Sequence, residues 1–179
     1  MIDEPELSMH PLWQKKILQY YKNLFTDANS NQTAQLFFAS HSEAVISEAL
    51  KDLDKTKVIV LKRDGNGQVS ANCIGIPAVL PYTMAAEVNY QAFELVSTDY
   101  HNALYGYIEA EGWKNNFDAQ YPTVSYNRER NGTVITQRIT LTEKIRHIIH
   151  HPENRNNSYT EGDLKESIER MRSFIMAQP

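Results

Sequence analysis

Two short apolar runs, each cut off by polar residues and each followed by a helix-period pattern, limit this chain more than any other feature. Met1-Ile2 read as the end of a buried strand that stops at Asp3-Glu4. From Leu12 to Phe25 the residues Trp13, Ile17, Tyr20, Tyr21 and Leu24 recur at helical spacing, which predicts an amphipathic helix. Pro11 suits its first turn, and residues 27–31 (DANSN) end it. Residues 34–39 (AQLFFA) form the second apolar run. Ser40-His41-Ser42 then leads into a helix over Glu43–Lys51, with Ser42 as its N-cap. Lys57–Leu61 (KVIVL) reads as a further buried strand, and Asp64-Gly65-Asn66-Gly67 as a hairpin turn into Val69–Ile74. Strand, helix, strand, helix, strand, hairpin is the alternation of an α/β fold with a mostly parallel sheet flanked by helices.

The rest of the chain has a different texture. Helices are expected over Thr83–Leu95 and Thr98–Glu111, with Tyr90, Phe93, Tyr100, Tyr105 and Tyr107 as packing residues and His101 on the helix surface. A second hairpin is expected about Asn131-Gly132 within Thr123–Ile139, then a helix through Ile145–His150 that Pro152 stops. Asn154–Ser158 is a polar loop, and Thr160 caps a last helix over Leu164–Met176. The expected division is an α/β core over residues 1–80 and an α+β appendage over 81–179, mainly helical with a β-hairpin.

Composition removes several function classes. The 179 residues are 41% hydrophobic and 22% charged, values of a folded globular chain. The net charge of −4 gives no general basic footprint for nucleic acid. A single cysteine, Cys73, excludes an internal disulfide and suggests no zinc cage. No apolar run approaches the ~20 residues of a membrane span, so a cytoplasmic protein without a membrane partner is expected.

A strand that ends in adjacent carboxylates suits phosphoryl-transfer chemistry. Ligands of open α/β sheets sit above the carboxyl ends of the strands. There one carboxylate can hold Mg²⁺ and a second can orient the attacking water. Asp3 and Glu4 have the types and order for those tasks. If the second strand neighbours the first, His41 lies above the same edge, in reach of a γ-phosphate.

These residues carry a resemblance. MIDEPELSMHP resembles the Walker B segment and D-loop of ABC-type ATPases, in the form used by SMC-like and AAA15/OLD-like bacterial ATPases. FFASHSEAVISEAL (37–50) resembles the switch-histidine segment of the same family, KVIVLKRDGNG the strand and turn that follow, and residues 145–171 the tail of some of its bacterial members. The resemblance covers residues 1–75 most firmly. It implies a partial P-loop NTPase sheet and binding of ATP with Mg²⁺. Asp3 would support the metal, Glu4 would polarise the attacking water, and His41 would contact the γ-phosphate. Ser8, Met9 and His10 would lie in the D-loop, which in this family signals across an ATP-sandwich dimer. DNA repair or anti-phage defence, coupled to a nuclease partner or to nucleic acid, is the wider role the family implies.

One essential part has no counterpart here. None of the seven glycines stands in a G-x-x-x-x-G-K-[ST] phosphate loop. The chain is therefore expected to be the C-terminal part of an ATPase, inactive alone, that needs an N-terminal lobe or a homodimer partner. An unpaired apolar sheet edge and oligomers are expected with it. Two alternatives stand beside this reading. Arg146 and His151 match the loose R-x(4–6)-H pattern of HEPN-type ribonucleases, with Arg supplying charge and His acid-base catalysis. A degenerate ATPase lobe used only for dimerisation or partner docking is the other.

Overall fold

The computed structural model describes residues 1–52, 54–74, 79–82, 84–130 and 132–178. The chain divides into two compact units, Met1–Ala78 with Thr83–Phe93 and Val79–Tyr82 with Glu94–Pro179. Thr83, where a helix was expected to start, and Asn131, at the expected second turn, lie outside the described residues.

In the first unit β1 (Ile2–Asp3) pairs in parallel with β2 (Phe38–Ala39), Ile2 opposite Phe38 and Asp3 opposite Ala39. A parallel pair needs a long crossover, and helices α1 (Pro11–Gln14) and α2 (Ile17–Leu24) lie within it. Helix α3 (Glu43–Ala49) leaves β2 directly. Ile17 and Leu18 pack with Val45 and Ala49, and Met9, Tyr21, Phe38 and Val58 close around them. Helix α4 (Ala85–Phe93) packs on α3.

The single helix expected over Leu12–Phe25 is two, broken at Lys15-Lys16. The break uncouples Trp13 from the stripe below it. The buried face of α2 is also rotated toward Leu18, so Trp13 is 70% exposed and Tyr20 and Leu24 face solvent.

The larger difference concerns the sheet. Among the described residues there are three separate two-stranded sheets rather than one mostly parallel sheet. KVIVL does not continue the β1–β2 pair as a buried strand. Its residues enter β3 (Ile59–Arg63), which pairs antiparallel with β4 (Val69–Cys73), and Leu61 is 69% exposed. The cause is local. The turn at residues 64–67 brings β4 back alongside at once, with Asp64 Oδ1 accepting from the amides of Asn66 (2.9 Å) and Gln68 (2.8 Å). Gly67 supplies a φ of +84° there, which only glycine adopts freely.

The second unit is built on α5 (Thr98–Ala110), α7 (Leu141–His150) and α8 (Glu161–Met176). Tyr100, Leu104, Ile108, Ile145, Ile168 and Met171 form its buried interior. Short α6 (Lys114–Asp118) adds Phe117, whose ring meets Phe174 edge-on at 5.2 Å. Thr160 and Asp163 make a reciprocal capping box at the start of α8. His101, expected on the surface, is fully buried. Its Nε2 lies 3.0 Å from Ser167 Oγ, which donates to Thr142 Oγ1 at 2.8 Å.

Strands β5 (Thr123–Arg130) and β6 (Thr133–Thr140) form the long antiparallel hairpin of this unit. A loop closes the outer edge of β5 at Asn127. The Asn127 amide donates to Asn157 Oδ1 (2.8 Å), and its carbonyl accepts from Asn154 Nδ2 (2.9 Å) and Asn157 Nδ2 (2.8 Å).

Candidate functional site

Asp3, Glu4 and His41, singled out from the sequence, all lie at the carboxyl ends of β1 and β2. Ladder bonds Ile2 N–H to Phe37 O and Glu4 N–H to Ala39 O, both 2.8 Å, hold the two strands in register. That register sets Glu4 beside His41, although two helices separate them in sequence. His41 Nε2 stands 4.0 Å from Glu4 Oε1, with side chains 84% and 44% exposed. The His41 ring also faces Phe93 of α4, centroids 6.2 Å apart. Asp3, opposite Ala39, is exposed at the same edge.

The backbone beyond β1 is unusual. Glu4 has φ +41° and Ser8 φ +63°, left-handed values that cost a non-glycine residue about 1 kcal/mol or more. The turn between them is held by Leu7 N–H to Glu4 O and Met9 N–H to Glu6 O, each 3.0 Å. It brings Glu6 back under the strand end.

Glu6 was not singled out from sequence, yet it is the buried acid of this site, 7% exposed. Its Oε1 accepts a hydrogen bond from Ser40 Oγ. Its Oε2 has no partner among the described residues. Ser40 Oγ in turn accepts from the Ser42 amide (3.0 Å), and Ser42 Oγ bonds Gln14 Oε1 (3.2 Å). The available signal was Pro5, which turns the chain between two acids so that the second falls back on the strand end.

The other expected site residues are placed differently. His10 caps α1, its Nδ1 accepting from the Leu12 amide at 3.3 Å. Ser8 is exposed in the loop before it. Among the described residues, neither is bonded to Asp3, Glu4 or His41.

The Arg146–His151 pair does not converge. At about 100° per residue, positions five apart on a helix face directions roughly 140° apart. Arg146 turns to α5, donating to Asn102 Oδ1 (3.0 Å) with its guanidinium 5.4 Å from the Tyr105 ring. His151 turns instead to Glu153, Nδ1 to Oε1 3.0 Å. Partial burial holds His147 below the usual imidazole range, against the pull of Glu143.

No described group of three or more His, Cys, Asp or Glu side chains can hold a metal by itself. Among the described residues, no helix is long and apolar enough to cross a membrane.

Residues 1–47 match the family model described as "AAA domain, putative AbiEii toxin, Type IV TA system". The match spans Asp3, Glu4 and His41. It supports a P-loop ATPase-like family for this segment and, at that coarse level, ATPase-type nucleotide binding; P-loop ATPases generally use ATP and Mg²⁺. No curated protein and no solved structure matches the chain.

Proposed function

We propose that the Asp3–Glu4–His41 edge is one part of a magnesium-nucleotide hydrolysis site in an ABC-type, SMC-like ATPase arrangement. The observation that carries the reading is the 4.0 Å approach of His41 to Glu4, made by parallel pairing of two distant segments. Asp3 offers a hard oxygen donor. One or two carboxylates with phosphate oxygens and water are the usual set for Mg²⁺, so the absence of a three-ligand cluster among the described residues fits. When bound, Mg²⁺ supplies charge neutralisation at the phosphates. In this reading Asp3 anchors the ion, Glu4 takes up the proton of the attacking water, and His41 donates to a γ-phosphate oxygen. Ser8 and His10 shape the loop that meets the partner side of the nucleotide.

The phosphate-gripping loop must come from elsewhere, because the 179 residues contain none. In this reading a separate phosphate-loop lobe supplies it, and the chain by itself turns over no ATP. A role in DNA repair or anti-phage defence belongs to the same proposal.

Manganese titration of the ¹⁵N-labelled chain tests the site directly. Paramagnetic broadening should begin at residues 2–4 and 39–42 and disappear with Asp3→Asn. Broadening spread over the acidic surface irrespective of Asp3 rejects the site. Once a phosphate-loop lobe is supplied, Mg-dependent ATP turnover should appear and be lost with Glu4→Gln.

A further inference from the structure

The buried carboxylate of Glu6 has no place in the roles assigned above, and its position asks for one. Burying a carboxylate is costly unless its oxygens are hydrogen-bonded. Here one oxygen takes the Ser40 hydroxyl and the other has no partner among the described residues. Such a group persists only where the surrounding structure holds it.

The two ends of this contact are telling. Glu6 lies two residues beyond Glu4, and Ser40 immediately precedes His41. The contact therefore ties the chain just after the water-orienting acid to the chain just before the phosphate-contacting histidine. The β1–β2 ladder ends here, at Glu4 N–H to Ala39 O. At that last bond the chain turns away from the ladder, with Glu4 in a left-handed conformation (φ +41°). Ser40 passes the constraint on, since its Oγ accepts the Ser42 amide at the start of α3. Ser42 Oγ and Gln14 extend it to α1, where Gln14 Nε2 donates to Met9 O at 3.2 Å. One chain of side-chain bonds thus joins the turn after β1, the end of β2 and the entries of two helices.

We propose that Glu6 is a positioning residue: its bond to Ser40 latches the two strand ends together and sets Glu4 against His41. This rests on the hydrolytic reading for its purpose, though not for its geometry. Glu6 touches no reacting atom. It acts by keeping the exposed Glu4 and His41 side chains from separating as the turn moves.

The test uses the full chain and two readouts. Without nucleotide or metal, Glu6→Ala and Ser40→Ala should each weaken the Glu4–His41 side-chain NOE. They should also raise exchange of the Glu4 amide by about tenfold, the worth of one buried hydrogen bond. Glu6→Gln and Ser40→Thr, which keep an acceptor and a hydroxyl, should restore both. Amides of Leu18 and Val45 report the unit's core and should not change. If Glu6→Ala leaves the NOE and Glu4 exchange as they were, the latch is wrong. If the core amides loosen equally in Glu6→Ala and Glu6→Gln, the role is structural only and the proposal falls. In the second readout, Glu6→Ala should raise the manganese concentration needed to broaden residues 2–4 by about tenfold, while Glu6→Gln stays within about twofold. Absence of manganese binding in the unmodified protein rejects the hydrolytic site while NOE and exchange still decide the latch.

Discussion

At the scale of residues, His101 gives the clearest pH dependence. Burial, with Arg146 nearby as the lesser cause, pushes its imidazole down to about 4, whereas the unfolded chain regains the ordinary value near 6.5. Between those values the unfolded state binds the extra proton, so stability rises with pH across that window. The stability is therefore complete above pH ~6.5, falls as pH drops toward 4, and levels off below; the loss is roughly 3 kcal/mol. Urea midpoints at pH 7 and 4.5 should diverge in the unmodified protein and diverge less in His101→Gln. An equal pH slope in both assigns the effect to other groups. The sequence reading put His101 on the surface, and the signal it passed over is that Tyr100, His101, Leu104, Tyr105 and Ile108 repeat as one helical face. The Glu4–His41 pair was legible, through strand ends of recognisable chemistry. Glu6 and Ser40 were not, because a contact across a turn and a crossover leaves no period in the sequence.

At the scale of elements, legibility followed the range of the forces involved. Both hairpins announced themselves through their turns, and α8 through the cap at Thr160. What failed was the destination of β3, since hydrophobicity says that a strand forms but not with which neighbour it pairs. The rotated face of α2 gives a test of the same kind. Ile17→Ala should cost about 2–4 kcal/mol by opening the packed contact with Val45 and Ala49. Trp13→Ala, at an exposed position, should stay within about 0.5 kcal/mol despite the larger side chain. Chemical denaturation of the two variants decides it, and comparable losses would restore the single helix read from the periodicity.

At the scale of the whole molecule, the two units differ in how they are held. The first depends on a two-residue parallel pair and a small helical core, the second on three packed helices with fully buried large side chains. Native-state hydrogen exchange should find the slowest amides in α5 and α8 and an earlier opening of β1–β2. Uniform protection across the chain would mean one cooperative body. The site proposed for Asp3, Glu4 and His41 lies on the first unit, where that earlier opening is expected. The asparagine clamp on β5 has a consequence of another kind. A strand edge with free amides and carbonyls is a template on which identical chains can stack. At Asn127 both backbone groups are already taken by Asn154 and Asn157. Two amide side chains thereby close that position to fibre growth, and a loop that looks like mere filler guards the protein against its own copies.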